Sequence, residues 1–315
     1  MTNNSYLGFF SLLEDPFTLT PDPAYYYPSG DHANALLSLD YIMNNREGFC
    51  LLTGEPGTGK TTLVRIFVNK WQEKAEIALI MTPRLNPQEF LEAILQDLDV
   101  IYPLSGNKND MIKEFRDFLL EHAGQGKRVV IIVDEAQQLP DDTMEELRLL
   151  SNLETEKEKL LQIIMVGQPE LFEKLASDNL RQLNQRISVK AQLSHLSETA
   201  TADYLITRLQ KAGARSAHLF DQSAVAEMHK HSKGIPRLIN LIASRSLMVA
   251  YLEGKPLVQE RQVIIAAKEL TQQEQKEQPK PKNGTLFWRM AILLVALMAA
   301  GVTALLILNG TLHLP

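Results

Sequence analysis

The chain has almost no cysteine and no long block of charges of one sign. Cys50 is the only cysteine among 315 residues, so no disulfide can form within the chain and a reducing compartment is favoured. Its apolar neighbours predict a buried, structural thiol. The 32 basic and 38 acidic residues give a net charge of -6, which disfavours a general nucleic-acid coat or a polybasic membrane-surface protein. The amino terminus lacks the basic stretch and apolar core of a signal peptide, so we expect no cleaved leader.

A glycine-rich segment follows the apolar run Phe49 to Leu52 and matches the phosphate-loop pattern. A strand, a glycine turn and a helix from about Lys60 to Trp71 would direct backbone N–H groups and a helix N-terminus at one point, which favours a polyphosphate. Lys60 is expected to reach the β and γ phosphates, and the Thr61 hydroxyl to bind Mg²⁺. We predict ATP and Mg²⁺ as ligands. The predicted binding residues are Gly54, Glu55, Pro56, Gly57, Thr58, Gly59, Lys60, Thr61 and Thr62.

Two carboxylates follow a run of five β-branched apolar residues, Val129 to Val133. Such a run predicts a strand that is buried on both faces. Asp134, at the carboxyl end of that strand, would hold Mg²⁺ directly or through water, and Glu135 would polarise the attacking water. The alternative is a strand that ends in a solvated acidic turn.

Three other residues are candidates for the same site. Gln168 follows another predicted strand, Leu161 to Val166, and could reach the γ phosphate and the water. Arg186 precedes the last predicted strand and could stabilise the γ phosphate of a neighbouring subunit. It is a better candidate than Arg181, although a surface salt bridge is the common role of such an arginine. Arg237 is expected in the first turn of a later helix, facing the cleft.

The alternation of strands and helices predicts an α/β fold with a parallel sheet flanked by helices, that of a P-loop NTPase. Helical patterns then predict an all-α lid. In the amino-terminal segment, Tyr25, Tyr26 and Tyr27 could stack on a base or simply fill the core, and His32 is expected to cap or pack. The predicted boundaries are a collar over 1–47, an α/β core over 48–195, a lid over 196–270, a flexible linker over 271–285, a transmembrane helix over 286–309 and an external tail over 310–315.

The predicted membrane span is the stretch Met290 to Leu308, nineteen residues without a charge. Its length suits the hydrocarbon core of a bilayer. Lysines and Arg289 lie on its amino side, whereas no lysine or arginine follows it, so the positive-inside rule places the body of the protein in the cytoplasm. A buried helix of a soluble protein is the alternative.

Longer motifs resemble one family. The segments VVIIVDEAQQL, LRLLSNLETEKEKLLQIIMVGQPEL, LNQRI and GIPRLIN, with the phosphate loop, are similar to the GspA/ExeA family of AAA+ ATPases over about residues 6–270. Lys190 stands where relatives tend to have arginine. The roles that the resemblance implies are Walker A for Lys60 and Thr61, Walker B for Asp134 and Glu135, sensor 1 for Gln168, the arginine finger for Arg186 and sensor 2 for Arg237.

The resemblance implies an ATP hydrolase of the bacterial inner membrane that forms homo-oligomers. Its expected partners are inner-membrane or envelope proteins that assemble a secretin for type II secretion or a type IV pilus. Relatives accompany polysaccharide export, and the sequence stops at Pro315 without the peptidoglycan-binding domain of many secretion members, so we expect a pilus or polysaccharide role to be more plausible than it would be with that domain. A slow nucleotide-gated binding switch is a further alternative. A DNA-targeting, transposition-type ATPase is disfavoured by the acidity and the expected anchor.

Overall fold

The computed structural model describes residues 5–81, 84–103, 107–155 and 158–277. The chain divides into two compact units, Met1–Ala267 and Lys268–Pro315, and the sheet, the first three lid helices and the candidate site all belong to the first. The predicted transmembrane helix, Met290 to Leu308, lies outside the described residues. Within the described ranges, no helix is long and apolar enough to cross a membrane.

The core of the first unit is a parallel sheet of five strands in the order β2-β3-β4-β1-β5. The strands are β1 (Phe49–Gly54), β2 (Ala75–Ile80), β3 (Arg128–Val133), β4 (Leu161–Gly167) and β5 (Ile187–Leu193). Strand β4 lies between β1 and β3, so the residue that follows β4 leaves the sheet between the ends of the other two strands. Since all strands are parallel, their carboxyl ends share one edge, which is where open α/β sheets place ligands.

Helices cover both faces of this sheet. They are α2 (Gly30–Asn45), α3 (Lys60–Trp71), α4 (Pro87–Asp97), α5 (Lys108–Gly124), α6 (Asp141–Leu150), α7 (Glu170–Leu175) and α8 (Arg181–Arg186), whereas the short first helix, α1 (Ser5–Phe9), packs against a helix of the lid. Helices α4 and α5 each begin with a capping box, formed by an asparagine and an acidic residue three positions later, which satisfies the first free N–H groups. The predicted parallel α/β sheet with flanking helices is therefore present.

Alternate residues of the central strands enter two separate apolar layers. Leu51, Ile131 and Ile163 belong to the layer that contains residues of α4, α5 and α6, and Cys50 and Ile132 belong to the layer under α2 and α3. Both layers exclude water, which explains why the strands read as continuous apolar runs. Burial raises the pKa of the Cys50 thiol to about 12, in agreement with a structural role.

Four helices follow the sheet, as predicted for a lid: α9 (Glu198–Lys211), α10 (Gln222–Ser232), α11 (Pro236–Leu252) and α12 (Glu260–Glu277). Helix α12 is longer than expected, because the first seven residues of the predicted flexible linker, Thr271 to Glu277, are helical. The linker was predicted from the lack of apolar residues. Glutamine, glutamate and lysine nevertheless have good helix propensity, and the stretch contains no glycine or proline before Pro279.

Candidate nucleotide-binding site

The phosphate loop connects the end of β1 to the start of α3 at the carboxyl edge of the sheet. Gly57 and Gly59 both have positive φ, 83° and 104°, which a residue with a Cβ adopts only at a cost. At Gly59 the absent Cβ also leaves space for a neighbour, since a Cβ there would lie 2.9 Å from Nε2 of His32. The sequence pattern therefore produces the expected turn, in which backbone N–H groups and a helix N-terminus surround one point.

Lys60 is folded into this loop. It is only 5% exposed, and its Nζ donates hydrogen bonds to the carbonyl oxygens of Gly54 (2.7 Å) and Glu55 (3.1 Å). Burial lowers the pKa of the Lys60 ammonium, whereas the nearby carboxylates of Glu135, Asp134 and Glu170 act in the opposite direction. A buried cation in a cradle of glycine backbone is a suitable partner for the β and γ phosphates of a nucleotide.

The two predicted Mg²⁺ ligands meet directly, although they lie far apart in the sequence. Thr61 Oγ1 donates a hydrogen bond to Asp134 Oδ2 at 2.9 Å, and the aspartate is 2% exposed. A hydroxyl and a carboxylate are the hard oxygen ligands that Mg²⁺ prefers beside substrate phosphates. The residues present therefore fit a Mg²⁺-nucleotide complex.

Glu135 and Gln168 also come together, because β4 lies beside β3. Glu135 has a left-handed backbone, φ 53°, and its N–H donates to Asp134 Oδ1 at 2.9 Å. The Glu135 carboxylate then accepts hydrogen bonds from Gln137 Nε2 (2.6 Å) and Gln168 Nε2 (3.2 Å). This geometry turns the two acidic side chains in different directions, one towards Thr61 and the other towards the end of β4.

Gln137 is a functional candidate that the sequence reasoning missed. Besides its bond to Glu135, its Oε1 accepts the backbone N–H of Gln168 at 3.2 Å. One amide side chain therefore joins the carboxylate at the end of β3 to the backbone at the end of β4. Its position two residues after Glu135 was the only signal in the sequence that could have indicated a contact with that carboxylate. The contact with Gln168 could not be predicted in this way, because it depends on β4 lying beside β3 in the sheet.

Arg237 lies where the lid meets the phosphate loop. Its backbone N–H donates to the carbonyl oxygen of Gly57 at 3.2 Å, and the residue lines the same pocket as Lys60 and Glu135. The predicted position in the first turn of a lid helix is therefore observed, since α11 begins at Pro236. The backbone of the first lid-helix turn is therefore bonded directly to the phosphate loop.

The pocket has a volume of about 280 Å³ and lies between the collar, the phosphate loop and the lid. The three neighbouring tyrosines all line it, and they also pack within the fold. The Tyr25 hydroxyl donates to Glu14 at 2.6 Å, and the Tyr27 ring meets the ring of Tyr204 edge to face, with centroids 5.9 Å apart. Base contact and core packing are therefore compatible roles for these tyrosines.

Three polar lid residues of this pocket were not predicted from the sequence: Tyr204, Arg208 and Asn240. The Arg208 guanidinium lies 4.6 Å from the centre of the Tyr25 ring and donates to Tyr204 Oη at 3.3 Å. The Tyr204 hydroxyl donates to Asn240 Oδ1 at 2.9 Å. Tyr204 and Arg208 share one face of α9 because they are four residues apart, but nothing in the sequence shows that this face meets the collar.

Arg186 is not among the residues of the described ranges that line the pocket. It ends α8, and its Nη1 donates to Ser151 Oγ at 2.8 Å. The structure therefore does not bring this arginine to the phosphate loop of its own chain, and the prediction that it serves a neighbouring subunit stays a prediction.

Comparison with known proteins agrees with this geometry. Residues 43–175 match the AAA domain. Cdc6p from Pyrobaculum aerophilum has a similar structure, with a TM-score of 0.61 and 18% identity over 82% of this chain and 71% of its own. The Holliday junction branch migration motor RuvB of Thermotoga maritima gives a TM-score of 0.52 and 19% identity over 77% of this chain and 70% of its own. At such identities the likeness shows the fold alone. Fold, domain and phosphate loop together define a P-loop NTPase of the AAA+ class.

The chain is also 41% identical to general secretion pathway protein A of Aeromonas hydrophila over 266 residues, which is 84% of this chain. The resemblance to the GspA/ExeA family of AAA+ ATPases that the motifs predicted is thereby confirmed. The aligned part is 48% of that relative, so the chain spans about half the length of the curated protein it matches.

Proposed function

We propose that this protein is a Mg²⁺-dependent ATP hydrolase that drives assembly of a secretion or pilus complex in the bacterial cell envelope. The observation that supports hydrolysis is the convergence of five residues at one edge of the sheet, from the segments that follow strands β1, β3 and β4. These residues are Lys60, Thr61, Asp134, Glu135 and Gln168. The AAA domain and the P-loop fold support an ATPase independently of that geometry.

In the proposed reaction, Lys60 and the loop N–H groups bind the β and γ phosphates. Thr61 and Asp134 would hold Mg²⁺, which when bound neutralises charge on the phosphate oxygens. Glu135 accepts a proton from the attacking water, and Gln168, which bonds to the same carboxylate, orients that water. Arg237 lets the lid respond to the state of the loop, because its backbone already bonds to Gly57.

Hydrolysis is tested by measuring ATP turnover and ATP affinity of the full chain with and without Mg²⁺. Glu135→Gln is expected to bind ATP like the wild type and to lose roughly 10²-fold or more in turnover, since it removes the general base. Lys60→Ala should lose nucleotide binding. Wild-type turnover no greater than that of Glu135→Gln at every protein concentration would contradict the proposal.

The envelope role and the inner-membrane location are supported by the similarity to general secretion pathway protein A and by the uncharged stretch Met290 to Leu308. In this proposal that stretch crosses the inner membrane once, it is connected to the lid through the predicted linker, whose first seven residues extend α12, and the ATPase body lies in the cytoplasm. Retention of the full chain in membranes after alkaline carbonate extraction is expected. Release into the supernatant would contradict the anchor.

The partner is tested by purifying Glu135→Gln from native membranes with ATP and Mg²⁺ and identifying the proteins that accompany it. This variant should remain in the ATP-bound state and retain its partner. Secretin or pilus components are expected. Recovery of polysaccharide-export proteins would instead support a role in polysaccharide export. Recovery of the protein alone would contradict a stable envelope partner.

A slow nucleotide-gated switch is the second candidate. It is favoured by the hydrogen bond between the backbone of Arg237 in the lid and the carbonyl oxygen of Gly57 in the phosphate loop, because such a bond would couple the lid to the bound nucleotide. Very slow turnover, together with ATP-dependent partner binding that Glu135→Gln preserves, would favour this function over continuous hydrolysis.

A further inference from the structure

A histidine from the collar lies directly against the phosphate loop. His32, in the first turn of α2, is 6% exposed, and its Nε2 lies 2.9 Å from the carbonyl oxygen of Thr58. Thr58 is itself fully buried. The proposed hydrolysis mechanism gives this histidine no part, and the sequence predicted only capping or packing for it.

The direction of the hydrogen bond follows from the chemistry of the partners. A carbonyl oxygen can only accept, so Nε2 of His32 carries the hydrogen. In the neutral ring, which burial favours by lowering the pKa of His32, Nδ1 then accepts a hydrogen bond from the Ser29 hydroxyl, 2.6 Å away. Ser29 occupies the N-cap of α2, yet its side chain makes no capping bond. The hydroxyl orients the histidine instead.

The bond to Thr58 determines how one peptide group of the loop is oriented. The Thr58 carbonyl and the Gly59 N–H belong to the same planar trans peptide, so they point in opposite directions. With the carbonyl bonded to His32, the Gly59 N–H faces away from the collar. On the other side of Thr58, its N–H and hydroxyl both bond to the Glu55 carbonyl, at 3.3 and 2.8 Å.

We propose that His32 is a positioning residue, which holds the Thr58 carbonyl so that the Gly59 N–H is directed at a bound polyphosphate. This inference rests on the proposed binding of ATP by the phosphate loop. Without the donor, the Thr58–Gly59 peptide is free to rotate, and Gly59, whose lack of a Cβ permits many backbone conformations, offers little resistance. The loop would then have to be reordered each time a nucleotide binds.

The test compares ATP dissociation constants of full-length variants by calorimetry in the presence of Mg²⁺. His32→Leu removes the donor at similar size, whereas His32→Gln retains an N–H donor at nearly the same position. His122→Leu is the matched control, because it removes another histidine–carbonyl bond, from Nδ1 to Phe118 O, away from the pocket. We expect about a ten-fold weaker affinity for His32→Leu, equivalent to about 1.4 kcal/mol, and affinities within about three-fold of wild type for the other two.

The outcomes separate this inference from the proposed function. Wild-type affinity in His32→Leu would overturn the role of His32 and leave ATP binding intact, and equal weakening in His32→Leu and His32→Gln would show that shape and not the donor matters. No ATP binding by any protein, wild type included, would overturn both proposals. Melting temperatures without nucleotide identify a variant that fails to fold. If His32→Leu fails, Ser29→Ala, which removes only the orienting hydroxyl, should weaken ATP binding about three-fold, and unchanged binding would overturn the inference.

Discussion

At the scale of single residues, two neutral amides hold the Glu135 carboxylate by hydrogen bonds. Gln137 provides the shorter of the two bonds, 2.6 Å, and also accepts the N–H of Gln168. The two hydrogen bonds fix the orientation of the carboxylate. The position of the proposed base therefore depends on a glutamine that does not line the pocket.

Gln137→Leu is expected to reduce ATP turnover about ten-fold while leaving ATP affinity unchanged, because it releases Glu135 and the backbone of Gln168 but touches no phosphate-binding group. Gln138→Leu is the control. Gln138 is the adjacent, exposed glutamine, and its side chain bonds to Arg84. Steady-state hydrolysis and ATP calorimetry on both variants check this, and wild-type turnover in Gln137→Leu would refute the positioning role.

Gln162 presents a different situation, a polar side chain in the sheet interior. It is 1% exposed, and neither its amide nitrogen nor its oxygen has a hydrogen-bond partner within the described ranges. An unpartnered buried polar group costs about 1–3 kcal/mol. The residue therefore lowers the stability of the fold.

Gln162→Met should raise the free energy of unfolding by about 1–2 kcal/mol, since methionine has a similar shape and no polar atom to desolvate. Gln192→Met, on an exposed position of β5, should change it by less than about 0.5 kcal/mol. Urea unfolding of the three proteins measures this. Destabilisation by Gln162→Met would mean that the amide is hydrogen-bonded in solution.

At the scale of elements, the start of α11 decides where the lid meets the loop. Gly234, just before this helix, has φ 75° and accepts the N–H of Leu196 at 2.9 Å. A Cβ at Gly234 would overlap the carbonyl oxygen of Leu196. The connection between β5 and α9 and the turn before α11 are therefore packed backbone against backbone, which places Arg237 at the loop.

The two ends of α11 allow a matched comparison. Gly234→Ala should destabilise the protein by more than about 3 kcal/mol and weaken ATP affinity, because the left-handed backbone and the overlap both oppose the methyl group. Gly254→Ala, with φ 66° and no atom within 4 Å of its would-be Cβ, should cost only about 1–2 kcal/mol. Denaturation and ATP calorimetry compare them, and equal effects would argue against the tight lid contact.

At the scale of the whole molecule, Arg186 bonds to Ser151 and lies outside the pocket of its own chain. If it completes the site of a neighbouring subunit, turnover must depend on association. We expect Arg186→Ala to bind ATP normally and to lose roughly 10²-fold or more in turnover. Arg181→Ala, an exposed residue on the same helix, should retain activity. Wild-type activity per molecule should rise with protein concentration.

Mixing two inactive variants tests the assignment directly. Arg186→Ala has an intact Glu135, and Glu135→Gln has an intact Arg186, so a mixed assembly contains sites in which both groups meet. The mixture should hydrolyse ATP faster than the sum of the separate variants. No gain on mixing, in samples shown to associate, would mean that Arg186 does not act across subunits.

The sequence by itself determined the local part of this protein. The short apolar runs predicted the strands, and the spacing of the glycines predicted the phosphate loop. Asp134 and Glu135 were predicted from their position at the end of an apolar run, and the helical periodicity predicted the lid. These patterns depend on residues that are close in the chain, and their physical causes, hydrophobic burial and backbone conformation, act locally. The position of Gln168 at the end of a predicted strand also predicted that it would join the site.

Only the tertiary structure decided which distant groups meet. The position of β4 between β1 and β3 puts Gln137 against Gln168, and the packing of α2 under the phosphate loop puts His32 against Thr58. The contact of Arg208 with the collar likewise joins residues almost two hundred positions apart. Such contacts follow from how layers pack around a common core, and the hydrophobic interactions that drive this packing are non-directional, so they leave no short pattern in the sequence.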